Sequence, residues 1–161
     1  MKDFCIKTNS SIVLEPLSLK LVNEICKQVW TNAVNTKANK LKSPRNVIKD
    51  YLKYVQILLA PKSYCWVVKD KDTKRVFGVI IFDVYNNFLT LDFVFKKRAV
   101  TSGIAYDAII RAIAAISMYH NLPVFSYTDD SNKEVINLLA DSGFDLAYRT
   151  DSFNYYVQRG K

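Results

Sequence analysis

The stretch VTSGIAYDAIIRAIAAISMYHN, Val100 to Asn121, carries one glycine where a polar turn passes into a long apolar helix. A helix start exposes unpaired backbone N–H groups and a partial positive charge, so it suits a phosphate. Gly103 lets the backbone approach such a group, Ala105 keeps the approach nearly bare, and Thr101 and Ser102 offer hydroxyls. A purely structural reading also accounts for the turn, with Ser102 as an N-cap and Gly103 as an ordinary first-turn residue. The helix is apolar around most of its circumference through Ile104, Ala108, Ile109, Ile113 and Ile116, leaving Asp107 and Arg111 as an i,i+4 pair. Its first turn is therefore built in beside the preceding strand.

A second glycine closes another helix. In SNKEVINLLADSGF, Ser131 and Glu134 have the spacing of a capping box, Gly143 suits the left-handed position past the helix end, and Phe144 packs back. The order is strand, turn with Gly103 and Ala105, buried helix, strand, then Asn132 followed after ten residues by Gly143-Phe144. In this order the chain, from about Ser63 to Arg159, resembles the GNAT superfamily of acyl-CoA-dependent N-acyltransferases. In that family a pattern of Gln or Arg, two residues, Gly, one residue, and Gly or Ala binds the coenzyme A pyrophosphate through backbone N–H groups. Val100, Thr101, Ser102, Gly103, Ile104 and Ala105 occupy that pattern here, and Asn132 with Gly143-Phe144 matches the later one. Gly78 also falls where the family tends to have glycine. Two departures stand out. Val100 replaces the usual Gln or Arg, with Lys96, Lys97 and Arg98 nearby to compensate, and Leu139 stands where the family often has a tyrosine that protonates the leaving thiolate.

The resemblance implies acyl transfer from acetyl-CoA to an amine, with no metal. Such chemistry needs a neutral amine, a polarised carbonyl and an accommodated thiolate. If the strand ending DFVF splays from its neighbour, the backbone of Phe93, Val94 and Phe95 can pair with the pantetheine like an added strand, and one N–H can polarise the thioester carbonyl. Asp92 or Asp83 can take the amine proton, and Asp92 is expected to do so. Tyr127 is the replacement acid chosen, with Tyr155 and Tyr156 as alternatives. His120, at the far end of the central helix, reads as a surface or capping histidine.

The elements that must position these residues follow from periodicity. SSIVLEP reads as a strand, Leu17 to about Asn32 as a helix, and Ser43-Pro44 opens a second helix that ends before Pro61. SYCWVVKD, RVFGVIIFDVY and FLTLDFVF form an antiparallel meander across KDTK and NN turns. The central helix, the strand PVFSY, the helix from Asn132 to Asp141, and the strands FDLAYR and FNYYVQR complete the order. This is an α/β (α+β) fold, expected to be one GNAT-like domain over residues 1–161 with a mixed, mostly antiparallel central sheet and helices on both faces.

At 161 residues, half of them hydrophobic, the chain can bury a proper core. Neither a signal-peptide run nor a stretch of about 18 apolar residues is present, so a cytoplasmic protein away from membranes is expected. Cys5, Cys26 and Cys65 lack disulfide or zinc spacing and read as reduced and buried, and the single histidine argues against His-based metal clusters and triads. The formal net charge is +8, with Lys37, Lys40, Lys42, Arg45, Lys49 and Lys53 concentrated around the loop into the second helix. That suits an anionic acceptor or partner, nucleic acid or protein, or else is a solvated lysine face. Two functions follow: an acetyltransferase, or a binding protein on the same fold that has lost turnover.

Overall fold

A computed structural model describes residues 4–7, 10–28, 30, 33–36 and 47–158. The N-terminal half comprises β1 (Ile6–Lys7), β2 (Ile12–Pro16), α1 (Leu19–Cys26), β3 (Val34–Asn35), α2 (Val47–Leu59), β4 (Ser63–Asp70) and β5 (Val76–Val84). Then come β6 (Leu89–Phe95), α3 (Lys97–Thr101), α4 (Ile104–Ser117), β7 (Val124–Thr128), α5 (Lys133–Asp141), β8 (Asp145–Arg149) and β9 (Asn154–Gln158). The expected order holds, with β1, β3 and α3 added. Strands of two residues carry no readable alternation, which is why β1 and β3 leave no periodic signal.

The strands form one sheet in the order β1-β2-β4-β5-β6-β7-β9-β8, with β3 also on β6. Every pairing is antiparallel except β6 with β7. Alternation divides the core between two faces. Trp66, Phe82, Leu91, Phe93 and Phe95 pack with Ala108, Ile109, Ile116 and Leu139 from α4 and α5. Val67, Val79 and Ile81 pack with Leu21, Val22 and Ile25 of α1 and Tyr54 of α2. Because β4 and β5 are covered on both faces, they read as nearly continuous apolar runs.

Local chemistry sets the ends. Ser18 caps α1, its Oγ accepting from the Leu21 N–H at 3.3 Å, and α1 stops at Cys26 rather than near Asn32. The Trp30 indole then donates to the Ile25 carbonyl at 3.3 Å, folding the chain back. The expected start of the second helix at Ser43-Pro44 lies outside the described residues, as do Lys37, Lys40, Lys42 and Arg45. At the end of α5 the Phe144 N–H reaches the Leu139 carbonyl and the Gly143 N–H the Ala140 carbonyl, with Gly143 at φ +84°. The capping box at its start does not form. Asp129 accepts from both the N–H and the hydroxyl of Ser131, Glu134 pairs with Lys97 at 3.0 Å, and Asn132 becomes the N-cap without a side-chain cap bond. Cys26 and Cys65 are buried, whereas Cys5, beside the short edge strand β1, is exposed, contrary to the expectation.

Candidate active site

The apolar helix expected from Thr101 is two helices. α3 ends at Thr101, α4 begins at Ile104, and Gly103 between them stands at φ +80°, ψ −1°. A Cβ built on Gly103 would meet nothing within 4 Å, so glycine is needed there for backbone angle and the space above it is open. Ser102 closes α3 instead of capping α4: its hydroxyl donates to the Ala99 carbonyl at 3.3 Å, and that of Thr101 to Arg98 at 3.2 Å. As at any helix start, the first N–H groups of α4 have no carbonyl partner within the helix, and such a start can hold an anion. Ala105 is buried, Val100 and Ile104 pack partly against the core, and Asp107 meets Arg111 at 3.0 Å.

The neighbouring basic residues diverge. Lys96 donates to Gln28 Oε1 at 2.7 Å and lies 5.8 Å from the centre of the Trp30 ring, Lys97 pairs with Glu134 on α5, and Arg98 is exposed on α3.

β6 and β7 run side by side only at Leu89–Val124 and Thr90–Phe125. Beyond that the strands part, and the Ser126 hydroxyl donates to the Leu91 carbonyl at 2.9 Å where they separate. The vacated edge of β6 is taken by β3. Val34 pairs with Phe95 and Asn35 with Val94, while the Thr36 N–H donates to the Phe93 carbonyl at 3.2 Å. Thr36 Oγ1 also accepts from the Phe93 N–H at 3.4 Å. Asn132 fixes this short strand to the start of α5, its Nδ2 donating to the Asn35 carbonyl at 2.9 Å and to Thr128 Oγ1 at 3.1 Å. The side chains of Phe93 and Phe95 are buried in the core, so only their backbone faces the parting.

Register places the carboxylates. Asp83 lies opposite Thr90 and Asp92 opposite Ile81, so both project from the α1/α2 face. Asp83 sits at the joined end of the strands, hydrogen-bonded to the Ser63 hydroxyl. Asp92 lies past the parting and accepts from Thr36 Oγ1 at 3.1 Å. Tyr127 projects from the same face across the parting, since Thr90 pairs in parallel with Phe125 two positions earlier on each strand. Its ring stacks on Tyr155 at 5.6 Å, which stacks on Tyr148 at 4.5 Å. Asp92 and Tyr127 thus stand on one face of the sheet, on the two strands that part, with Thr36 bonded at the β6 edge between them. Tyr156 is buried, and Leu139 is fully buried. His120 contacts the Tyr64 hydroxyl at 3.1 Å, at the other end of α4 from the turn, and burial pushes the Tyr64 hydroxyl above the usual tyrosine range. Thr36 and β3 escaped sequence reasoning because a three-residue contact carries no pattern. Among the described residues no group of three His, Cys, Asp or Glu side chains could hold a metal ion.

A central strand pair that parts beside a glycine-opened helix defines an N-acyltransferase fold. Residues 11–145 match the family model described as an acetyltransferase (GNAT) domain, and the chain belongs to that family. Solved structures agree on the fold. A ribosomal-protein-S5-alanine acetyltransferase from Vibrio fischeri superposes with a TM-score of 0.75 at 13% identity, covering 98% of this chain and 97% of that one. The microcin C7 self-immunity acetyltransferase MccE, solved with acetyl-CoA and AMP, gives 0.74 at 19% identity, covering 96% and 95%. A spermidine N-acetyltransferase variant from Vibrio cholerae gives 0.71 at 15%, covering 93% and 94%. No curated protein matches by sequence.

Proposed function

We propose that this chain is an acetyl-CoA-dependent N-acetyltransferase that passes the acetyl group directly to a primary amine. The observation that carries the reading is the left-handed Gly103, which opens α4 under unfilled space beside the parted strands of a GNAT-family chain. The backbone from Val100 to Ala105 receives the pyrophosphate, with Asn132 bracing the far wall. Phe93, Val94 and Phe95 present the strand edge for the pantetheine. Asp92 takes the amine proton, directly or through water, as the nitrogen attacks the thioester carbonyl. A backbone N–H of the strand edge stabilises the oxyanion. The C–S bond then breaks and Tyr127 protonates the departing thiolate. The acceptor is an amine of a small molecule, protein or nucleic acid, and the protein works as one cytoplasmic domain without a metal.

A binding protein without turnover is the second reading, and β3 favours it, since Thr36 and Val34 already occupy the strand edge that the pantetheine would use. Mass spectrometry of acetyl transfer from acetyl-CoA to a panel of small amines and basic peptides separates the two. The enzyme reading predicts acetylated product that falls by about 10²- to 10⁴-fold in Asp92→Asn and by a similar factor in Tyr127→Phe. Acetylation at the uncatalysed rate with every amine contradicts it.

A further inference from the structure

Where α1 ends, β5 begins and β6 passes into α3, a cavity of about 520 Å³ is lined by Lys27, Lys74, Arg75, Lys96 and Arg98, with Glu24 beside them. The five cations come from three separate parts of the chain, so the concentration is a product of the fold. Glu24 is already engaged, accepting from Lys69 Nζ at 3.1 Å. Among the described residues no carboxylate lies within ion-pair distance of any of the five. Asp70, on the same hairpin turn as Asp72, Lys74 and Arg75, accepts from the N–H groups of Asp72 and Thr73 and feels the charge of Arg75 without coming within ion-pair distance of it. Lys74 holds φ +60°, an angle lysine rarely adopts, which keeps the turn bearing Arg75 tight. Burial first, and the charge of Arg75 second, hold the Lys96 ammonium below the usual lysine range, and an anion beside the two cations would offset the second of these.

We propose that this cavity binds a compact polyanion carrying two or more phosphate groups, at a site separate from the turn at Gly103. Glu15 and Glu24 share the single Lys69 ammonium, so one carboxylate charge remains beside the five cations; one phosphate supplies at most about two more, leaving about two cations unbalanced, which a second phosphate balances. The volume lies within the usual range of small-molecule sites, roughly 300–1,000 Å³, and admits a nucleotide. The same chemistry comes from a free nucleoside polyphosphate or from the backbone of a single-stranded nucleic acid. Lys97 takes no part, being paired with Glu134.

Calorimetric titration of the full chain with inorganic tripolyphosphate, ATP and a ten-nucleotide single-stranded RNA tests this without reference to acetyl-CoA. The site predicts saturable one-to-one binding of tripolyphosphate, weakened at least tenfold in Lys27→Glu/Arg75→Glu. A control with the same charge change elsewhere, Lys20→Glu/Lys62→Glu, should lose less than twofold, and the milder Arg75→Gln should show a partial loss in a protein of unchanged melting temperature. Tighter ATP than RNA identifies a free nucleotide as the source, and tighter, steeply salt-dependent RNA identifies nucleic acid. Absence of saturable binding, equal losses in both double variants, or displacement of the anion by dephospho-CoA would overturn the proposal, the last by assigning the anion to the coenzyme turn.

Discussion

Gly103 and Gly78 are both glycine for reasons that a substitution separates. At Gly103 the demand is the backbone angle, and the surrounding space is open, so Gly103→Ala should cost about 1–2 kcal/mol of left-handed strain without any clash. At Gly78 the angle is unremarkable but a Cβ would lie 2.6 Å from the Val94 carbonyl oxygen and still closer to the Phe95 ring. Gly78→Ala should therefore cost more, about 2–3 kcal/mol, because backbone must shift. Urea unfolding of the two variants checks the ranking, and a less stable Gly103→Ala would reverse it. Thiol labelling gives a second residue-scale prediction. Cys5 should react with a water-soluble disulfide reagent in the folded protein, while Cys26 and Cys65 react only after unfolding, since both are buried and burial raises the Cys65 thiol. Gly143 was legible in the sequence because the left-handed position past a helix end is a local signal. The partners of Ser131 and Glu134 were not, because Asp129 and Lys97 compete with the local box through geometry that only the fold supplies.

At the scale of elements, the long strands and helices were readable from alternation and 3.6-residue spacing, and the break between α3 and α4 was not. Lys97 to Thr101 lacks an apolar stripe, and only the sign of φ at Gly103 reveals that the chain turns there. β3 matters most for function. It makes the hydrogen bonds to Phe93 and Phe95 that an extended pantetheine would make, so the two compete for one edge. If acetyl-CoA pairs there, hydrogen exchange of the Val34 and Thr36 amides should accelerate at least tenfold on its addition, while β5 and the inner edge of β6 keep their protection. Slower exchange at Val34 and Thr36 would mean that β3 stays and that the coenzyme lies elsewhere. Weakening the strand should act in the same direction: Thr36→Val removes the hydroxyl bonds to Asp92 and Phe93 and should tighten acetyl-CoA binding.

For the whole molecule, composition and element order made a mixed sheet with helices on both faces legible, and the family match over residues 11–145 agrees. What sequence could not place is charge. The lysines around the second helix drew attention, whereas the described cluster is built by Lys27, Lys74, Arg75, Lys96 and Arg98, which meet only in three dimensions. The central claim, that this GNAT-family chain binds acetyl-CoA at the Gly103 turn, is tested most directly by its melting temperature with and without that ligand. The measurement is made in the wild type and in Lys27→Glu/Arg75→Glu, so that the basic cavity cannot supply the effect. Acetyl-CoA at 100 times its dissociation constant should add about 2.7 kcal/mol, a rise of about 5–10 °C in both proteins. No shift at millimolar acetyl-CoA in either protein would contradict the account.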